Sequence, residues 1–215
     1  MKRFQRFFGH SLTLTIPIVI LSAHAARADI LIFHDDESYL QAAGTVHIIN
    51  FLEQPDGTPA SDGVPITPSF NYDALGAHFA AGVGELTLAQ DQDAGFVLRA
   101  TVPEPGQTWI DAALMTPAFA VAVLYGDATT LSAYDVNGTL LGIAEPDNPG
   151  LGGPRHDEAG FLGIVSDVPI GSVRISRGSD HEEISAFLFT PVPEPATGLL
   201  LTCAVVLFRR RRQRR

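Results

Sequence analysis

Thr130-Leu131-Ser132-Ala133-Tyr134-Asp135-Val136, Asn137-Gly138, Thr139-Leu140-Leu141-Gly142-Ile143-Ala144 is the stretch that decides the fold class. Two runs of alternating apolar character are joined by an Asn-Gly pair. Alternation with a period of two belongs to a half-buried strand. Asn-Gly between such runs predicts a two-residue type I′ hairpin, because both turn positions need positive φ.

Outward from the hairpin the same grammar repeats. Upstream lie Ala77–Ala81, Glu85–Ala89, Phe96–Thr101, Thr108–Ala113 and Ala118–Tyr125, each separated by Gly, Asp or Pro. Downstream, Asp147–Asp157 reads as a Gly/Pro-rich loop, followed by strands at Phe161–Ser166, Ser172–Ser176 and Glu183–Thr190. Nearer the start, Ile30–Phe33 and Thr45–Leu52 read as strands. Between them Asp35-Asp36-Glu37-Ser38 opens a brief helix over Tyr39–Ala43, with acids where the helix dipole favours them. Residues 53–70 carry four prolines, two glycines and three acids, and are expected to form a long loop. Ala112–Leu124 hints at a helical period, but Pro117 and its small, β-branched content argue for strand. Many short strands with a turn every ~8–12 residues predict an all-β chain, a single antiparallel β-sandwich. A jelly roll is favoured over an immunoglobulin arrangement, since no Cys…Trp…Cys pattern is present.

Both ends differ from this middle. Lys2, Arg3 and Arg6 precede the apolar run Leu12–Leu21, and Ala23-His24-Ala25 and Ala26-Arg27-Ala28 are small-x-small sites. Residues 1–28 are therefore expected to be a signal peptide, cut by signal peptidase after Ala28 (with Ala26 as the other small residue) to leave Asp29 first. At the other end come Pro193-Glu194-Pro195, an uncharged apolar run from Ala196 to Phe208, then Arg209, Arg210, Arg211, Arg212, Gln213, Arg214 and Arg215. The prolines stop regular structure and leave extended backbone. A basic end beside an apolar span stays on the cytoplasmic side of a membrane. The run is 13 residues long. As a helix it reaches about 20 Å against a hydrocarbon core of about 30 Å, which suits a transient anchor.

The domain between the ends, 29–190, is strongly acidic. It holds 23 Asp and Glu against four arginines (Arg99, Arg155, Arg174, Arg177) and no lysine, a net charge of −19. Such a surface repels nucleic acid and anionic lipid and attracts divalent cations. Nucleic acid is excluded as a partner. The lone Cys203 lies in the apolar tail, so the domain has no disulfide.

The tail's three parts, in that order and position, resemble the PEP-CTERM sorting signal of Gram-negative bacteria. The resemblance implies that residues 191–215 are recognised and cut near Pro193–Pro195 by the membrane protease-transpeptidase exosortase. Glu194 would be the recognition element and Arg209–Arg215 the cytoplasmic stop. It further implies passage through the inner membrane and delivery to the cell surface or an extracellular polysaccharide matrix. Within the domain, Asn50-Phe51-Leu52-Glu53, Ser132 to Gly142, and Phe161-Leu162-Gly163-Ile164 look like strands recurrent in such exported proteins, whose domains resemble lectin-like or carbohydrate-binding sandwiches. Ser185, in Ile184-Ser185-Ala186-Phe187-Leu188-Phe189, stands where those domains often carry an acid.

No pattern of catalytic residues emerges. His34, His47, His78, His156 and His181 have neither HExxH nor i,i+4 spacing, and there is no Gly-x-Ser-x-Gly elbow. The His156-Asp157-Glu158 trio lacks an activated nucleophile. An enzyme is not expected. Calcium is the expected cation if one binds, with Asp91, Asp93 and Glu53 as candidate ligands among several acidic clusters. Trp109 is the candidate ligand-stacking residue, and a sugar site would use it with Tyr72, Tyr125 and Tyr134 and with the 53–70 and 145–160 loops. The expected role is structural, in exopolysaccharide or biofilm; a calcium-dependent carbohydrate-binding module is the alternative.

Overall fold

The computed structural model describes residues 28–92, 94–102, 107–125, 129–146, 160–176 and 181–191. Residues 1–27 and 192–215, which hold all but one residue of the expected signal peptide 1–28 and of the expected sorting signal 191–215, lie outside the described residues, as do Asp93 and the His156–Glu158 trio. The rest is mostly antiparallel sheet with one α-helix. Its strands are β1 (Ile30–Phe33), β2 (His47–Ile49), β3 (Val64–Pro65), β4 (Ala77–Ala81), β5 (Glu85–Asp91) and β6 (Gly95–Thr101). The series continues with β7 (Ile110–Tyr125), β8 (Thr130–Asp135), β9 (Leu140–Ala144), β10 (Gly160–Ser176) and β11 (His181–Pro191). Helix α1 spans Asp36–Ala43 and a short 3-10 turn spans Tyr72–Leu75.

Two long strands organise everything else. The expected strands Thr108–Ala113 and Ala118–Tyr125 are joined through Pro117 in one strand, β7, and the expected Phe161–Ser166 and Ser172–Ser176 through Pro169 in another, β10. The β7–β10 ladder slips register between Val165 and Ile170 and again before Ser172, next to both prolines. Proline cannot donate to a ladder and is tolerated in a strand where pairing is already broken. Across these irregularities both strands change partners, β7 from β11 to β4 and β10 from β1 to β8, as strands do where a sheet turns a corner between two leaves. In the first leaf, Ala118–Tyr125 of β7 pairs with β11 on one side and Gly160–Ile170 of β10 on the other. β11 then pairs with β6 and β2, β6 with β5, β5 with β3, and β10 with β1. In the second leaf, Ile110–Leu114 of β7 lies between β4 and Ser172–Ile175 of β10, which continues through β8 to β9.

A common interior joins the leaves. Val121, Val123, Leu162, Ile164, Phe187 and Phe189 of the first share one apolar cluster with Phe79, Ala112, Leu131, Ala133, Val173 and Ile175 of the second. Phe51, Tyr72, Phe79 and Phe187 form a chain of edge-to-face contacts within it. The alternate residues Ala120, Ala122, Ala186 and Leu188 face the other way and pack under Tyr39 of α1. Under α1 the first leaf is thus covered on both faces, and there Ala118–Tyr125 of β7 and Ala186–Phe189 of β11 are continuously apolar. Asp35 caps α1 by accepting the Ser38 N–H at 2.8 Å, as its acidic start suggested.

Two local expectations are corrected. The strand expected over Thr45–Leu52 is only His47–Ile49, because Phe51 takes a positive φ of 55°. That turn drops its ring into the aromatic chain. The hairpin after β8 forms, but not as a type I′ turn. Neither Val136 nor Asn137 has positive φ; Gly138 alone does, at 81°. Gly138 N–H donates to the Asp135 carbonyl at 3.1 Å, closing a three-residue connection. This is the alternative built from a type I turn followed by a left-handed glycine. Asp135 selects it: its carboxylate accepts the Asn137 and Thr139 N–H groups, both at 2.8 Å. Those bonds hold the Asp135 carboxyl below its ordinary pKa.

Candidate functional surface

Burial alternates cleanly in the second leaf. Leu131, Ala133, Val173, Ile175, Ile110 and Ala112 point inward, which leaves their neighbours on the outer face. The ladders align these outer residues in rows. One row runs Ala80–Asp111–Arg174–Ser132–Ile143 and the next His78–Ala113–Ser172–Tyr134–Leu140. Small residues thus alternate with a few large polar ones.

Trp109 stands on the same face, two residues before Asp111. Its indole N–H donates to Asp111 Oδ2 at 2.8 Å. Arg174 donates from Nε to Asp111 Oδ1 at 2.8 Å and from Nη2 to Oδ2 at 3.1 Å. The guanidinium carbon lies 4.5 Å from the Trp109 ring centroid, a cation–π stack. The fork-on-carboxylate pairing raises the Arg174 pKa further above its already high value. Gly82 makes the cluster possible: a β-carbon there would fall 1.8 Å from the indole. Asp111 therefore neutralises Arg174 and orients Trp109 with one carboxylate.

Across β4 the face meets a cleft of about 630 Å³, lined by Gly63, Pro65, Ile66 and Thr67 of the long loop on one side and by His78, Ala80 and Glu85 on the other. His78 Nδ1 is 2.7 Å from Asp73 Oδ1, which fixes its ring at the cleft edge. Part of the 53–70 loop is thus brought to the edge of this face, which carries two of the expected aromatics, Trp109 and Tyr134, whereas Asp111 and Arg174 are not among the residues expected from sequence. The signal for Asp111 and Arg174 was their i,i+2 and cross-strand placement, which requires the register.

The other expected residues fall elsewhere. Tyr72 and Tyr125 cannot serve as exposed aromatic platforms, because they are 1% and 3% accessible. Tyr72 instead donates its hydroxyl to the Glu53 carbonyl at 2.9 Å. Asp91 caps the β5–β6 turn by accepting the Ala94 N–H at 2.8 Å. Among the described residues no three metal-ligating side chains form a group, and no helix is long and apolar enough to cross a membrane.

No family model and no curated protein matches this chain. Solved structures that resemble it weakly include two CBMs and a lectin-binding domain. One is a CBM32 module from a family 31 glycoside hydrolase of Clostridium perfringens, at 8% identity and TM-score 0.35, covering 47% of this chain and 79% of that one. Another is a histidine mutant of the lectin-binding domain of lectinolysin complexed with Lewis b, at 8% identity and TM-score 0.38, covering 54% and 94%. A third is the family 32 CBM of C. perfringens NanJ in complex with galactose, at 13% identity and TM-score 0.35, covering 53% and 93%. Likeness this slight assigns neither ligand nor activity.

Proposed function

We propose that this chain is an exported surface or extracellular-matrix protein, sorted by exosortase and acting without catalysis in contact with extracellular polysaccharide. The observation that carries this reading is the order of parts at the C-terminus. The last strand, β11, ends at Pro191. Pro193-Glu194-Pro195, the apolar run 196–208 and the six arginines follow it. A cut near the prolines would leave every strand of the sheet intact. At the other end β1 starts at Ile30, so removal of residues 1–28 also spares the sheet.

The test is fractionation of producing cells. Glu194→Ala, or deletion of Arg209–Arg215, is expected to leave unprocessed protein in the inner membrane. Release of full-sized mature protein by both variants would refute exosortase sorting.

The alternative is a calcium-dependent carbohydrate-binding module. The polar, aromatic outer face of the second leaf favours the carbohydrate half of that reading. The calcium half rests on the net charge of −19 over residues 29–190. It requires that chelator lower the melting temperature and that calcium restore it.

A further inference from the structure

We propose that the outer face of the second leaf binds an uncharged, extended polysaccharide laid across its strands. This rests on the reading that the protein works against extracellular polysaccharide, and it names the site and the ligand class. The row His78–Ala113–Ser172–Tyr134 forms a trough. Ala113 is exposed and Ser172 half-buried, so the floor is low, while a ring stands at either end. Three strand spacings separate the rings, ~14 Å, and the cleft beyond His78 extends the track past β4. The Asp111–Arg174 pair and Ser132 form one side wall with hydrogen-bonding groups suited to sugar hydroxyls. Arg174 is folded back over Trp109, which leaves the trough unobstructed by its long side chain.

Charge selects the class of occupant. The cation on this face is cancelled by the carboxylate it grips. The surrounding domain carries −19, which repels a uronate or sulfated chain at long range. The charges that remain beside the row, Asp73 against His78 and Glu85 in the cleft, are carboxylates, which disfavour an anionic chain, while Ser132, Ser172 and Tyr134 offer hydroxyl partners to a neutral glycan.

The experiment is calorimetric titration of the full chain in mild detergent with neutral hexasaccharides of glucose, galactose, mannose and N-acetylglucosamine, and with hexagalacturonate. At least one neutral hexasaccharide is expected to bind, and hexagalacturonate is not. Ala113→Arg and Ser172→Arg, which fill the trough from half-open or open positions, are expected to weaken binding at least tenfold with unchanged melting temperature. Tyr134→Ala should act in the same direction. Neutral-sugar binding that survives all three variants would overturn this site while leaving polysaccharide contact intact. Preference for hexagalacturonate would overturn the ligand class. No binding by any sugar would overturn the site outright, and a concentration-dependent dimer lost in Ala113→Arg would make the face an interface between copies. None of these outcomes touches the sorting reading, which the fractionation of Glu194→Ala decides.

Discussion

Asp29 and Asp167 show how much one residue's chemistry can depend on processing. The Asp29 backbone N–H donates to Asp167 Oδ1 at 2.9 Å, and the Asp167 N–H returns to the Asp29 carbonyl at 3.3 Å. If signal peptidase cuts after Ala28, that nitrogen becomes an ammonium facing a carboxylate. An exposed pair of this kind contributes up to ~1 kcal/mol. Asp167→Asn should therefore lower the melting temperature of the cleaved protein more than that of the uncleaved precursor; equal losses would argue for a different cut. Asp135 gives a pH prediction. Its folded pKa is depressed, so its contribution is present above the ordinary carboxylate range and lost as pH falls through the folded value. Asp135→Asn should show a shallower loss of melting temperature on acidification than wild type. Gly82→Ala is expected to destabilise by about 1–3 kcal/mol, because the new methyl must displace the indole of Trp109.

At the scale of elements, the hairpin, the acidic helix start and most strands were legible because each is written locally. Alternation fixes strands, turn residues fix their ends, and Asp35 announces α1. What was not legible needed the register. The breaks at Pro117 and Pro169 read as loops, since proline locally resembles an end; only the paired strands show them as bends between leaves. The Asn137-Gly138 turn was misjudged because Asp135 offers a competing carboxylate to the turn N–H groups. The Trp109–Asp111–Arg174 cluster spans 63 positions between Asp111 and Arg174, beyond any local pattern. Helix α1 supplies another prediction. Tyr39 is fully buried against the first leaf, and among the described residues no partner meets its hydroxyl. Burial pushes its phenol well above its ordinary pKa. Tyr39→Phe should stabilise the protein by about 1 kcal/mol, read as a higher denaturant midpoint with unchanged slope. A lower midpoint would mean that the hydroxyl has a partner in solution.

Over the whole molecule, basic charge is concentrated at the ends and acidic charge in the middle. A domain with 23 acids and four arginines should gain stability with salt, as screening relieves self-repulsion. Composition alone made that clear, and made nucleic acid an implausible partner. The face proposed to bind polysaccharide was not clear, because it exists only where β4, β7, β10 and β8 lie side by side. The central claim remains the double processing of the chain, and the intact mass of the protein recovered outside producing cells tests it most directly. The account predicts one species beginning at Asp29 and ending near Pro193–Pro195, with no such species from Glu194→Ala. A released chain that still carries Arg209–Arg215, in wild type and variant alike, would contradict it.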